Sequence, residues 1–573
     1  MKKVLVGLVV LLVVAVIIAV VAGGPQGEPP KVAAALDAEN TVGFVSYENV
    51  DQVAAKVVAA LEQLPPSLRA QAPMFSAEAI KNHLGFDPAV ASEWSAAGID
   101  PSAGISMVVD ARVFRRAGGA PEPMLVTKIT DRDKLVTFAS KFGVPVAFTA
   151  GKDGLAEMIV DKKTSWIGER GGYTFIIDGP ILGDDAAKRT LRTQFTAFLA
   201  AAGPALVKDR AYRDAFAHAG GGGRLAGYGS STALGGMLAG KLPVPTTDIK
   251  YYSDRFPTAA FALSDDGFSA QVVATADGVA ALNKLFRAKT RSKLARFVPA
   301  KGWTVIRTAA NIPQFFDGLA EFIPPSMAQM RMMLSMGKAS TVMLGFSYDD
   351  LGKAFSGYAM GAIDLSSAMD AAEKGPSAVR WLAAAGVADE ATADKVLDVL
   401  TGLAAKAGVR TPVEVAGNKG FTVGLDGLSV TIARIDDVIL MAPSAAAIEQ
   451  ALKTAGGDSL AKTEAGQRVD DPDAFYVASV DLGGVMTRLE QGHGQLNPSD
   501  RQIITTVSKM DLWTQFRDRP FNISYILDGG VRLESSMAIN PSSLVLLGVG
   551  MYLIAHDAAP PPELPTRAPV QQP

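Results

Sequence analysis

The sequence predicts an α+β fold: two tandem copies of a mixed domain with largely antiparallel sheets and packed helices, preceded by one transmembrane helix. Three observations carry this expectation. An uncharged apolar run follows the first residues, a set of segments occurs twice in the same order, and strand-like segments joined by tight-turn residues stand beside helix-like ones.

The apolar run comes first. Met1-Lys2-Lys3 precedes "VLVGLVVLLVVAVIIAVVA", Val4 to Ala22, which carries no charge. As a helix rising 1.5 Å per residue it would span roughly 28 Å, close to the thickness of a bilayer core. Lys2 and Lys3 favour a cytoplasmic N-terminus and place the body on the far side. Val20-Val21-Ala22 also fits a signal-peptide cleavage site. Anchor or signal, the body is expected outside the cytoplasm. Residues 1–23 are read as the anchor and 24–40, with "GGPQGEPP", as a Pro/Gly linker.

The repeats come next. "AGYGSSTALGGML" from Ala226 matches "AFYVASVDLGGVMTRL" from Ala474, with Tyr228 on Tyr476 and Leu234-Gly235-Gly236 on Leu482-Gly483-Gly484. "VGFVSYENVDQVAAKVVAALEQLPPSL" from Val42 resembles "GWTVIRTAANIPQFFDGLAEFIPPSM" from Gly302, with Glu62 on Glu321 and Pro65-Pro66-Ser67 on Pro324-Pro325-Ser326. "GGYTFIIDGP" from Gly171 resembles "IDDVILMAPS" from Ile435, and "ALVKDRA" from Ala205 resembles "SLAKTEA" from Ser459. Lastly Asp248, Pro257, Asp265 and Gly267 fall on Asp511, Pro520, Asp528 and Gly530. The separations are all roughly 250–265 residues, a period that means duplicated domains and not a short-repeat solenoid. The copies are placed at 41–299 and 300–556, with a Pro-rich disordered tail at 557–573.

Within a copy, "FVSYENV", "ISMVVDARV", "MLVTKI", "YTFIID", "AAFALSD" and "FSAQVVATA" have strand composition. "SDDGFS" and "LDGGVR" supply hairpin turns. "DQVAAKVVAALEQL" places Val53, Val57, Val58 and Leu61 on one helical face. "DRDKLVTFASKFG" and "SAAAIEQALKTAGG" read as helices closed by Gly. Copy one is expected to end in a basic amphipathic helix, "LNKLFRAKTRSKLARFV". Copy two ends in "LVLLGVGMYLIAH", expected as a buried or membrane-surface helix.

Composition excludes several chemistries. Cysteine is absent, which removes disulfides, thiolate metal sites and a Cys nucleophile. The net charge of -3 provides no global basic field for nucleic acid. The four histidines, His83, His218, His493 and His556, form no local metal pair. Ser459-x-x-Lys462 fits the Ser-x-x-Lys pattern of penicillin-recognising enzymes, but Ala205 takes the Ser position in copy one while Lys208 stays. The motif therefore reads as scaffold. Gly-rich "AGGGGR" at Ala219 reads as a turn, Asp214 and His218 as a surface pair, and Asp349-Asp350 and Asp470-Asp471 as solvated loops. No metal or other cofactor is expected.

One stretch stands apart. "SMAQMRMMLSMG" gathers Met327, Met330, Met332, Met333 and Met336 directly after the repeated Pro-Pro-Ser. Flexible thioethers suit apolar partners of variable shape, so these five are the candidate ligand-binding residues. The competing reading is packing between the two copies.

"LGFDPAVASEWSAAGIDPSAGISMVV", Leu84 to Val109, together with "KDRAYRDAFAHAGGGGRLAGYGSSTALGGML", Lys208 to Leu238, resembles bacterial envelope proteins catalogued as a domain of unknown function. In copy two the Gly-Phe-Asp-Pro element is missing, and "AAAGVADEATADKV" from Ala383 is a loose counterpart. The resemblance implies an anchored or exported α+β protein and brings no catalytic residues. The expectation is a single-pass protein of the bacterial cytoplasmic membrane, its body facing the periplasm or cell exterior. It would act as a non-enzymatic binding or scaffolding module, with an envelope protein or lipid as partner and no nucleic acid. The alternative is a carrier holding lipid between sheet and helices.

Overall fold

A computed structural model describes residues 29–536, less 53, 56–57, 59–77, 79–80, 82–85, 114–121, 141–145, 151–154, 161–162, 179–184, 219–224, 239–244, 265–266, 287–291, 368–374, 407–409, 426–427, 493–516 and 519. The first half contains β1 (Thr41–Tyr47), β2 (Ile105–Asp110), β3 (Met124–Thr127), β4 (Val146–Ala150), β5 (Ala156–Val160), β6 (Lys163–Arg170), β7 (Tyr173–Asp178), β8 (Leu225–Ser230), β9 (Thr258–Ser264) and β10 (Gly267–Val273). The second contains β11 (Thr304–Ala309), β12 (Phe355–Ile363), β13 (Trp381–Val387), β14 (Arg410–Val415), β15 (Asn418–Leu425), β16 (Leu428–Ile435), β17 (Val438–Ala442), β18 (Ala474–Val480), β19 (Phe521–Leu527) and β20 (Gly530–Ser535).

Across the first half the hydrogen-bonded order is β4-β5-β6-β7-β3-β2-β1-β8-β9-β10. Across the second it is β14-β15-β16-β17-β13-β12-β11-β18-β19-β20. The two orders are the same, strand for strand, and every pairing is antiparallel. The innermost strands then pair with each other. β10 runs antiparallel to β20, from Phe268↔Ser535 to Val273↔Gly530, and the ladder centres on Ala270–Leu533 and Gln271–Arg532. The halves are thus related by a pseudo-twofold at this junction.

The expected fold class is corrected on two counts. The copies do not form separate sheets: among the described residues they build one continuous antiparallel sheet of 20 strands. The physical reason is that β10 and β20 would each be an open edge in an isolated copy, and an open edge seeks a partner. The expected transmembrane helix is not supported by the described residues. No described helix is long and apolar enough to cross a membrane, and Val4 to Ala22 lies outside the described residues.

The junction depends on local chemistry. The β19–β20 turn uses Gly529 and Gly530 at φ 61° and 151°. A side chain on Gly530 would place its Cβ 1.9 Å from the Val272 carbonyl oxygen of β10. Gln271, buried in β10, donates from Nε2 to the Asp528 carbonyl at 2.8 Å, and the Ala274 amide donates to Gly529 O at 2.9 Å.

Helices cover one sheet face in both halves. In the first, Phe195 and Phe198 of helix Asp185–Ala200 and Tyr212 and Phe216 of helix Arg210–His218 pack on Phe44, Val108 and Phe175. In the second, Ile448 of helix Ala445–Gly456 and Val469 of helix Glu464–Val469 pack on Val305, Leu382 and Leu440. Smaller clusters occupy the opposite face, around Tyr47 and Trp94 in one half and Phe346 and Val396 in the other.

Two further expectations are corrected. The basic helix expected at the end of copy one is not one helix: Ala276–Phe286 is helical, residues 287–291 lie outside the described residues, and Leu294–Phe297 is a buried 3-10 turn. "AAAGVADEATADKV" is the end of β13 leading into helix Glu390–Lys406, so its counterpart is β3 with helix Arg132–Ser140. The segment matching Gly-Phe-Asp-Pro is Gly345-Phe346-Ser347. Ser347 caps helix Tyr348–Ala354 before β12 with a reciprocal Ser347–Asp350 capping box, while Phe86 and Asp87 precede helix Ala91–Ala96 before β2.

Candidate interaction surface

The chain between β11 and β12 leaves the sheet to make three helices. Phe315–Phe322 packs beside the first half's helix Ala276–Phe286. There Phe256 stacks on Phe322 at 5.8 Å between centroids, Lys284 pairs with Glu321, and the Tyr252 hydroxyl donates to Phe322 O at 2.8 Å. Pro324 and Pro325 end this helix, since proline cannot continue the hydrogen-bond ladder. Ser326 then donates from Oγ to the buried Asp248 carboxylate of the first half at 2.6 Å. The repeated Pro-Pro-Ser therefore turns the chain and fastens it across the halves. The counterparts Ser67 and Asp511 lie outside the described residues.

Helix Ala328–Ser340 follows, and it is held along one stripe only. Arg331 donates from Nε to Ile323 O at 2.9 Å, Lys338 pairs with Asp317 at 3.2 Å, and Gly337 lies 3.6 Å from the Phe316 ring, measured from the position a Cβ would take. Phe316 in turn meets Tyr348 edge-on at 4.9 Å. Burial, then the nearby Asp317 carboxylate, push the Tyr348 phenol up to about 12.

Met332, Met333 and Met336 face away from that stripe, whereas Met330 lies beside Gly337 and Met327 precedes the helix. Met327 and Met330 are 43% and 46% exposed, Met332 and Met333 58% each, and Met336 65%. Val342 and Met343 in the next turn are 64% and 89% exposed. Packing between the copies, the competing reading, is corrected: the inter-copy contact is made by Phe315–Phe322 and Ser326, and the methionines extend beyond it. Isolated apolar side chains on a surface are ordinary; here seven exposed apolar residues fall between Met327 and Met343.

The other candidates resolve into scaffold. Ser459 is buried ahead of the turn Leu460–Lys462, and Lys462 donates to Gly457 O at 2.5 Å. Asp214 pairs with Arg210 at 3.4 Å, Asp350 belongs to the capping box, and Ala219 to Arg224 lies outside the described residues. Among the described residues no group of three His, Asp or Glu is placed to hold a metal. A cavity of about 180 Å3 between the halves, lined by Val279, Leu282, Phe286, Pro472, Asp473 and Leu527, is smaller than the roughly 300 Å3 minimum of most ligand pockets.

Three features escaped the sequence reading. The first is a set of four apolar side chains, Val45, Met107, Val272 and Ile306, exposed on the sheet face opposite the large cores. Val45 and Met107 are cross-strand neighbours, and the row continues through Gly227, Phe261 and Ala270 to Leu533. The second is a buried charge network. Arg112 joins Asp37 and, at 2.7 Å, Asp110, while Arg170 approaches Asp37 at 3.5 Å. Burial raises the Asp37 pKa, but the Asn40 donors and Arg112 outweigh it and hold the carboxyl below its ordinary range. The third is Arg307, wholly buried, whose three nitrogens donate to Val469, Asp471 and Ala474 carbonyls at 2.6–2.8 Å.

Compared with known proteins, the chain matches no family model, no curated protein and no solved structure.

Proposed function

We propose that the protein is a non-enzymatic binding module that presents helix Ala328–Ser340 to an apolar surface of a partner. The observation that carries this is the exposure of Met332, Met333 and Met336 on the side of the helix away from its anchors, with Met327 and Met330 also exposed at its start. Unbranched thioether side chains adapt to irregular apolar surfaces, which suits a docking face. Replacing Met336 by a photo-crosslinking residue in cells tests it. The expected result is a discrete adduct at Met336 that is lost when Met330 and Met333 become Ser. Labelling no stronger than at exposed Leu400 would overturn the reading.

A second reading, carriage of an apolar ligand, is favoured by the exposed face around Val45, Met107, Val272 and Ile306. Its test is native mass spectrometry of protein purified without detergent, with added phospholipid. No bound lipid would reject it.

Placement outside the cytoplasm is proposed from the sequence Met1 to Ala22 alone. Protease digestion of spheroplasts should remove the body without lysis; protection until lysis would place it inside.

A further inference from the structure

We infer that the same helix binds a soft monovalent cation, Cu(I) or Ag(I), through the thioether sulfurs of Met332, Met333 and Met336. This goes beyond the docking proposal and does not depend on it.

The chain has no cysteine, so methionine is its only source of sulfur ligands. Six of its 19 methionines, Met327, Met330, Met332, Met333, Met336 and Met343, fall within one short segment. Neither helix formation nor apolar character calls for this choice, because leucine serves both equally well. What methionine adds is a neutral, polarisable donor, and thioethers select Cu(I) over harder ions.

The helix gathers the donors. Met333 and Met336 are spaced i, i+3 and Met332 and Met336 i, i+4, the spacings at which side chains are surface neighbours about 5–6 Å apart at Cβ. At 3.6 residues per turn these three share one face. Their exposures, 58%, 58% and 65%, leave the sulfurs unpinned and able to turn toward one ion. Met330 stands i, i+3 from Met333 and extends the set.

The charges nearby are compatible. Arg331 and Lys338, the two cations of the helix, lie on the other side, turned onto Ile323 O and Asp317. From Ser326 to Leu344 the sequence contains no Asp, Glu or His, so a hard divalent ion finds no carboxylate or imidazole in the segment.

The test is a titration of the purified full-length protein with Ag(I), the redox-stable probe, in chloride-free buffer, with the methionine methyl groups labelled with carbon-13. The expected result is one ion per chain and selective shifts of the Met332, Met333 and Met336 methyl signals, with none on adding Zn(II). The triple variant Met332→Leu, Met333→Leu, Met336→Leu keeps the helix and its apolar face and should lose at least tenfold in Ag(I) affinity. Each single leucine variant should lose part of it. Unchanged affinity in the triple variant, or shifts confined to other methionines, would overturn the proposal. Since leucine preserves the apolar surface, crosslinking at Met343 in this variant reports separately on docking.

Discussion

Arg307 on β11 is among the largest side chains wholly withdrawn from solvent in the described residues, and its surroundings show why it is there. In the first half, the longer helix Arg210–His218 brings Tyr212 and Phe216 onto Phe44 and Tyr228 as an aromatic cluster. In the second, the shorter helix Glu464–Val469 ends early, and Arg307 accepts the task of satisfying the carbonyls left near its end. Arg307→Met should therefore cost about 3 kcal/mol, because burying unsatisfied carbonyls is expensive. Urea denaturation measures it, and a loss within 0.5 kcal/mol would refute this account. Asp37 makes a prediction with a sign. Its folded pKa is depressed, so its contribution is present above the unfolded value near 4 and is lost as pH falls through the folded pKa. Asp37→Ala should be destabilised by about 3 kcal/mol at pH 7, the cost of breaking a buried pair. The difference from the unmodified protein should shrink below pH 4. A gap independent of pH from 7 to 3 would contradict the assignment.

At the scale of elements, the methionine helix carries exposed apolar side chains that the fold does not need. Its exposed positions contribute little to folding, so Met332→Ser and Met336→Ser should each shift stability by no more than about 0.5 kcal/mol. A drop of 2 kcal/mol in thermal or chemical unfolding would mean that these side chains are packed. The β19–β20 turn behaves oppositely. Gly530→Val forces a Cβ onto Val272 O at a backbone angle that side chains seldom adopt, so it should open the β10–β20 ladder. Hydrogen exchange of the Val272 and Val273 amides should accelerate, with β15 and β16 unaffected. The outer edge β14 needs no such ladder. Pro412 sits in it and blunts pairing with other chains.

At the scale of the whole molecule, the sequence made some of this legible. The duplicated order of segments reappears as the same strand order in both halves, and Ser326 and Asp248, drawn from two different repeated segments, meet across the halves. Helix Ala445–Gly456 and the Gly529 turn carry local signals, a Ser cap and a tight-turn glycine, that a reader of sequence can recognise. The β10–β20 pairing carries none. Val272 and Val531 are far apart in sequence, and nothing around either residue names the other. The Asp37–Arg112–Arg170 network draws on three distant segments for the same reason. The methionine cluster was legible as a cluster, but its exposure was not, since periodicity alone does not say which helix face meets solvent.

The β10–β20 ladder also bears on how such a chain could arise. A single ten-stranded unit whose β10 met the β10 of a second molecule would generate the same sheet by symmetry alone, at a concentration-dependent cost. Joining the two genes makes the encounter intramolecular and raises the effective concentration of the partner. It also releases the halves from identity. A symmetric pair must carry any surface helix twice, whereas after Pro65-Pro66-Ser67 the first half has a single methionine, Met74, before Leu84, and the second half alone has the cluster. Fusion is what allows a twofold scaffold to carry a surface helix on one side alone.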